Sequence, residues 1–243
     1  MIYNGIDLLS VHAALSINKE IPPGAAARNL TSVAGLDGER FAGAAIQQDE
    51  YKLRVNIAGR SRREAWEVRA LLAAWAYSSD KPAELIPTNW PSVHYLAVCK
   101  EVSPPEFTFG FGTVTISFAL MRPIAIDNVL SRAAGSKSAV MAITGSAPAR
   151  PVIRQKLDAA ASRVAISLDG KTFMTLVPAA AYPAGSVIEI DTAARSLTVD
   201  GVHRETDIDY AASIWRPGFV KGAHTVASSA AGRVEIEWRN EWY

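Results

Sequence analysis

The end of the chain, RVEIEWRNEWY, is the segment that most constrains the fold. Val234, Ile236, Trp238 and Trp242 occupy even positions, and charged residues occupy most of the odd positions between them. Because successive side chains of a strand point to opposite faces, this alternation predicts a strand with one apolar and one charged face. Two tryptophans so close to a terminus favour a segment that is built into a sheet or into a subunit contact.

Two hairpins are predicted in the second half of the chain. Asp169-Gly170 separates two β-rich runs, RVAISL and KTFMTLV, and this residue pair suits the positive φ angles of a tight turn. The stretch SVIEIDTAARSLTVDGV repeats the pattern, with a polar turn at Thr192–Arg195 between two short strands. Several short strands separated by turn signals predict an antiparallel sandwich, which the terminal strand completes.

The first half reads as strands interrupted by one helix at about residues 62–77. EYKLRVNIAG alternates like a half-buried strand, and VHYLAVCKEV and FGTVTISFALM are further β-rich runs. Ser61 followed by Glu64 is a capping box, which marks the start of a helix. The apolar stripe predicted for this helix contains Val68, Leu71, Leu72 and Trp75.

Composition excludes several classes of protein. The chain has 243 residues, of which 49% are hydrophobic, so a sizeable core is expected. Its formal charge of +1 argues against an electrostatic nucleic-acid binder. MIYNGIDLLS lacks the basic region of a signal peptide, and no apolar run approaches the roughly 20 residues that cross a membrane, so neither export nor membrane insertion is expected. A single cysteine, Cys99, excludes an intrachain disulfide and a multi-thiolate zinc site.

The familiar catalytic motifs are missing from the sequence. Gly170-Lys171-Thr172 resembles the end of a phosphate loop, but Ala165 stands at the first glycine position and the context is a hairpin. There is no Gly-x-Ser-x-Gly elbow, Cys99 lies in an apolar strand, and the four histidines show no ligand spacing. We therefore predict no catalytic residue, no cofactor and no metal site, and a protein that is not an enzyme.

Two weaker candidates for a site remain. In ETDIDY, an extended backbone would put Glu205, Asp207 and Asp209 on one face, where they could bind calcium or, in a hydrolase, act as paired acids; a solvated acidic loop is the simpler interpretation. Trp215 and Trp242 could stack against sugar rings, although aromatic residues of a sandwich more often lie in its core or at an interface. The alternative function is thus a carbohydrate-binding adhesion module.

Several segments, in this order, resemble the distal tail proteins of phages with long, non-contractile tails, a family of phage and prophage tail components. The opening YNGIDL and the turn LDGERFAG resemble the family's early strands, and LLAAWAYSSDKPAELIP resembles its helix and the short strand that follows. The remaining segments that resemble the family are YLAVCKEV, FGTVTISFALMRP, ITGSAPARPVI, GSVIEIDTAARSLTVDGV and WRPGFVKGAHTVASSAAGRVEIEWRNEWY. The resemblance covers nearly the whole chain, although Arg216 and GAHTV depart from the residues usual in the closing loop.

The resemblance implies a mainly β fold with one helix and two domains. Residues 1–127 would form a β-barrel-like domain related to tail-tube proteins, and residues 139–243 a galectin-like β-sandwich. The composition of residues 128–138, rich in Ala, Ser and Gly and poor in aromatic residues, predicts a linker between them. Members of the family form a homo-hexameric ring that joins the tail tube to the tail tip and the host-adsorption apparatus. DNA passes through the lumen of that ring without sequence-specific binding. The expected location is the virion tail, after assembly in the cytoplasm of the bacterial host.

Overall fold

The structure is a computed structural model, and it describes residues 1–23, 26–32, 39–46, 50–58, 61–108, 111–215 and 218–243. In these ranges the fold is mainly β with one α-helix, as predicted. The chain divides into two compact units, the first formed by Met1–Ile126 together with Tyr243 and the second by Asp127–Trp242. Within the described ranges, the helix is neither long nor apolar enough to span a bilayer.

The first unit is built on an antiparallel sheet with the strand order β2-β1-β7-β8-β10-β6-β3. A separate hairpin pairs β4 with β5, and β9 pairs with β10. The strands are β1 (Ile2–Tyr3), β2 (Ile6–Asp7), β3 (Leu15–Ile21), β4 (Ala26–Ser32), β5 (Glu39–Ile46), β6 (Glu50–Ala58), β7 (Ala83–Ile86), β8 (Val93–Val102), β9 (Glu106–Thr108), β10 (Phe111–Leu120) and β11 (Ala125–Asp127), the last of which leads into the second unit.

The helix α1 (Arg62–Ala76) packs on β6, β8 and β10. Ser61 is its N-cap, and the hydroxyl accepts the backbone N–H of Glu64 at 3.2 Å, as the capping signal predicts. The buried side of α1 includes Trp75, whose indole N–H donates to the carbonyl of Ile6 at 2.9 Å. The centroid of the Trp75 ring lies 5.9 Å from that of the Tyr3 ring, in the edge-to-face arrangement that aromatic pairs prefer. This contact ties the helix to the first hairpin of the chain.

The second unit is a two-layer antiparallel sandwich. One layer has the strand order β12-β21-β14-β17-β18-β19, and the other has the order β13-β20-β15-β16. The strands are β12 (Ser131–Ser136), β13 (Ser138–Ile143), β14 (Val152–Leu157), β15 (Val164–Leu168), β16 (Lys171–Leu176), β17 (Val187–Asp191), β18 (Ser196–Val199), β19 (Val202–His203), β20 (Gly222–Ser228), β21 (Gly232–Trp238) and β22 (Glu241–Trp242). Both predicted hairpins are present, as β15–β16 and β17–β18.

The terminal strand lies inside the sandwich rather than at its edge. β21 pairs with β12 on one side and with β14 on the other. Val234, Ile236 and Trp238 are buried in the core between the two layers, together with residues such as Met141 and Ile166 of the opposite sheet. The alternation in the sequence therefore predicted the correct buried face for these three residues, but its extension to Trp242 is wrong, because Trp242 lies in the separate strand β22. The chain leaves this strand at Arg239 and forms the short strand β22 before it ends.

Two details of the sequence prediction are wrong. Residues 128–138 are not a linker throughout, because Ser131–Ser136 forms β12 and pairs with β21 along its whole length. A side chain at Gly135 would collide with the carbonyl oxygen of Ser138, so the tight passage from β12 into β13, in which Lys137 has φ 61°, needs a glycine at position 135. In α1, Leu71 faces away from the core and is 47% exposed.

Candidate functional site

The acidic segment Glu205–Asp209 is not an extended strand with three carboxylates on one face. Glu205–Asp207 forms a turn of 3-10 helix, and each carboxylate has its own partner. Asp207 is buried and accepts the hydroxyl of Tyr182 at 2.7 Å, and Asp209 accepts the backbone N–H of Ala211 at 3.2 Å. The geometry assumed for a shared calcium or acid-pair site is therefore wrong. Within the described ranges, no cluster of three His, Cys, Asp or Glu side chains suits a metal ion.

The other chemical candidates occupy structural positions. Cys99 is buried in β8, and burial raises the pKa of its thiol to about 11, opposite to the shift that activates a nucleophilic cysteine. Asp169 and Gly170 form the two-residue turn between β15 and β16, with φ angles of 51° and 80°. These angles are those of a type I′ hairpin turn, which agrees with the turn predicted at this position.

The two tryptophans considered for sugar stacking are both half-buried. Trp215 packs against the core of the sandwich. Trp242 lies in β22, and its indole N–H donates to the carboxylate of Asp127 at 2.8 Å. Each ring is thus held by contacts within the second unit, and stacking of a sugar on either ring stays a prediction.

The outer side of α1 carries exposed apolar residues, next to the Arg63–Glu67 ion pair, that the sequence prediction missed. Trp66, Ala70, Leu71, Ala74 and Tyr77 are all exposed and follow helical spacing, opposite the buried stripe of the same helix. Trp66 is 48% exposed and Tyr77 is 54% exposed. We call these five residues the outer helix face. The signal in the sequence was a second group of apolar residues on the side opposite the buried stripe, since a helix with only one buried side usually carries polar residues on the other.

Arg69 holds Trp66, the first residue of the outer helix face, in place. The guanidinium of Arg69 lies 5.5 Å from the centre of the Trp66 ring, within the range of a cation–π contact. The same guanidinium donates to the carbonyls of Val102 at 2.6 Å and Ser103 at 2.8 Å, at the end of β8. Because these bonds fix the position of the Arg69 guanidinium, the Trp66 ring packs against a side chain that is already ordered.

Arg62 makes a similar contact next to the outer helix face. Its guanidinium lies 5.5 Å from the centre of the Phe107 ring in β9, and Phe107 is itself partly exposed. Exposed tryptophan, tyrosine and arginine side chains are the residue types that contribute most to the binding energy of protein interfaces. The arrangement is suited to contact with another protein rather than to chemistry on a small molecule.

Comparison with known proteins matches both units of the chain to phage tail families. Residues 9–120 match the phage tail protein RIFT-related domain. Residues 144–242 match the siphovirus-type tail component, C-terminal domain. No curated protein sequence matches the chain.

Among solved structures, the chain is similar to the Dit protein of phage SPP1, which is described as a paradigm of the hub adsorption apparatus in phages that infect Gram-positive bacteria. The TM-score is 0.77 at 14% sequence identity, and the match covers 100% of this chain and 98% of the SPP1 protein. A second similarity is to the baseplate of phage P2 in its activated conformation with calcium, with a TM-score of 0.47, 9% identity, and coverage of 93% and 90% of the two chains.

The two family matches follow each other in the order that the sequence resemblance predicts, and the SPP1 similarity extends over both units. A mainly β fold with one helix and a C-terminal sandwich agrees with this assignment. The chain belongs to the distal tail protein family of siphophages and is a siphovirus-type tail component.

Proposed function

We propose that the protein forms a hexameric ring at the distal end of the phage tail, where it acts as a hub between the tail tube and the host-adsorption apparatus. The observation that carries this proposal is the match of both units to tail-component families in one chain. The full-length similarity in fold to SPP1 Dit, a hub protein, supports it. The first unit supplies the contacts between neighbouring subunits, and the second supplies surfaces for other tail proteins.

The outer helix face is a suitable contact between subunits. In a closed ring, each subunit presents one patch to one neighbour and a complementary patch to the other. Trp66 and Tyr77 are exposed in the single chain, and covering them would remove apolar area from water. The contact of Arg69 with Trp66 lowers the entropic cost of binding, because this aromatic anchor is already held in position.

The proposed role is structural rather than enzymatic. Asp207 accepts a hydrogen bond from the hydroxyl of Tyr182, and Cys99 is buried with a raised thiol pKa. Neither side chain is therefore activated for catalysis. DNA passes through the lumen of the proposed ring without being read, which fits the formal charge of +1. Assembly of the tail takes place in the bacterial cytoplasm before the particle is released.

Immuno-electron microscopy of the phage that encodes the chain tests the location directly. Antibodies against the purified protein should label one end of the tail, the end opposite the capsid. Labelling along the whole tail would identify a tube subunit instead. Labelling of the capsid, or of no part of the particle, would contradict the proposal.

A further inference from the structure

His224 joins two loops of the sandwich through both of its ring nitrogens. Its Nδ1 lies 2.7 Å from a carboxylate oxygen of Asp169, in the turn between β15 and β16. Its Nε2 lies 2.8 Å from the carbonyl oxygen of Val220, in the loop that precedes β20. The imidazole is held between these groups with its side chain only 11% exposed. The histidine therefore bridges two segments that are distant in the sequence.

Both partners of this imidazole are acceptors. A backbone carbonyl has no hydrogen to donate, and an ionised carboxylate has none either. A neutral imidazole carries one N–H and can satisfy only one of the two, whereas the imidazolium carries an N–H on each nitrogen and satisfies both. The observed geometry thus selects the protonated form of His224.

The turn at Asp169 has further contacts that keep it in place. The other carboxylate oxygen of Asp169 accepts the backbone N–H of Thr225 at 2.8 Å, and the backbone N–H of Asp169 donates to the carbonyl of Thr225 at 2.8 Å. When the histidine loses its proton, the contact that weakens is therefore the one to Val220. Around Val220, Gly218 has a positive φ of 84°, and the side chain of Val220 is half exposed.

We propose that His224 is a pH-sensitive clasp that holds residues 220–221 against the β15–β16 turn when protonated and releases them when neutral, while Phe219 stays anchored in the core. This device is separate from the ring contact and does not depend on it. Because Val220 is exposed, release of the loop changes the apolar surface that this end of the sandwich presents. The clasp is closed on the acidic side of neutrality and opens as the pH rises.

The charges around the clasp support this direction. Burial lowers the pKa of His224, but the hydrogen bonds to Asp169 and to the carbonyl of Val220 outweigh it, and the pKa is raised above its ordinary value of 6.5. The pKa of Asp169 is lowered below its ordinary value of 3.8, first by the bond to His224 and then by the N–H of Thr225. Asp169 is the only titratable partner of the imidazole in the part of the chain that the structure describes.

The sign of the stability effect follows from these shifts. A group whose pKa is higher in the folded protein stabilises the fold at pH values below its unfolded pKa, and this contribution disappears as the pH rises through the folded pKa. The contribution of His224 is therefore complete below pH 6.5 and lost above its raised pKa. Asp169 keeps the clasp intact until the pH falls through its own lowered pKa. Each pKa unit by which closing the loop raises the pKa of His224 corresponds to about a tenfold preference of the protonated form for the closed loop.

The test combines two measurements on the full-length protein. The first is an NMR titration of the histidine side chains, with His224 assigned by its loss in the His224→Gln variant. The second is hydrogen exchange of the backbone amides of residues 220–223 at pH 5.5 and pH 8.5, corrected for the intrinsic rates. The matched control is His203→Gln, because His203 also contacts a carboxylate, that of Glu205, but its side chain is 72% exposed.

The clasp predicts that His224 titrates above 6.5 and that protection of these amides in the wild-type protein falls at pH 8.5. In His224→Gln, protection should be equally low at both pH values, and in His203→Gln it should follow the wild type. A pKa of His224 at or below 6.5 would overturn the proposal, as would equal protection at both pH values in the wild type. The comparison of hydrogen exchange at the two pH values uses only the wild-type protein, so the proposal stays testable if the variant is unstable.

Discussion

The indole N–H of Trp242 donates to the carboxylate of Asp127 at 2.8 Å, so the last strand of the chain is bonded to the first residue of the second unit. The second carboxylate oxygen of Asp127 accepts the side-chain amide of Asn240 at 3.1 Å, and its backbone N–H donates to the carbonyl of Asn240 at 2.9 Å. Arg239 donates to the carbonyls of Asp127 and Asn128. The aromatic terminus is thereby fixed by polar contacts as well as by burial.

Replacement of Asp127 by Ala leaves the side-chain donors of Asn240 and Trp242 without their acceptor. We expect the free energy of unfolding to fall by about 1–3 kcal/mol, the cost of leaving a buried donor without a hydrogen bond. Chemical denaturation measures this loss. Trp242→Phe removes the indole donor and keeps the ring, and a double-mutant cycle with Asp127→Ala should show coupling between the two residues. Asp80→Ala, at an exposed carboxylate, serves as the control. Additive effects of the two changes would show that the bond does not contribute.

Trp238 is the largest side chain that β21 buries, and only 6% of it is exposed. Trp238→Ala should cost about 3–5 kcal/mol, the range for removing a large buried aromatic side chain. Thermal and chemical unfolding measure the loss, with Val140→Ala in the neighbouring sheet as a control at a site that is 60% exposed. An unchanged melting temperature in Trp238→Ala would contradict its place in the core.

Gln155 is a fully buried polar side chain in the middle of the sandwich core. Its Oε1 has no partner, and its Nε2 donates only at 3.3 Å, to the carbonyl of Lys156. Because a buried acceptor without a hydrogen bond is costly, Gln155→Met should leave the free energy of unfolding unchanged or raise it. Ile153→Ala in the same strand should lower it by about 2–5 kcal/mol and calibrates the assay. A large loss in Gln155→Met would mean that the amide makes an essential bond.

The outer helix face predicts a variant that separates assembly from folding. Trp66→Ala removes a half-exposed ring, so the melting temperature should stay close to that of the wild type. If Trp66 anchors the contact between subunits, the loss of a hot spot of about 2 kcal/mol weakens association roughly thirtyfold. Sedimentation over a range of concentrations measures this change. Val140→Ala, at an exposed apolar site in the second unit, is the control, and association of Trp66→Ala equal to that of the wild type would exclude the face as the contact.

Local patterns predicted a large part of this fold. The alternation around Val234 and Ile236, the Asp169-Gly170 turn and the N-cap at Ser61 each depend on neighbouring residues only. Strand periodicity, turn geometry and helix capping operate over a few residues, so one sequence is enough to detect them. The buried face of the terminal strand followed from the same local information.

The remaining features depend on residues far apart in the chain. Composition suggested a linker at residues 128–138, but pairing with β21 makes Ser131–Ser136 a strand. The sequence predicted Asp207 on an exposed acidic face, but Asp207 is buried and accepts a hydrogen bond from the hydroxyl of Tyr182. The outer helix face was missed because periodicity marks apolar stripes without telling which of them the sheet covers. Tertiary contacts decide these three features, and local patterns do not contain them.

The number of copies in the assembled protein tests the central claim most directly. Native mass spectrometry of the purified chain over a range of concentrations, with electron microscopy of the same sample, measures it. The account predicts particles of six 26.1 kDa chains that appear as rings with a central hole. A monomer at every concentration, or a closed dimer, would contradict it.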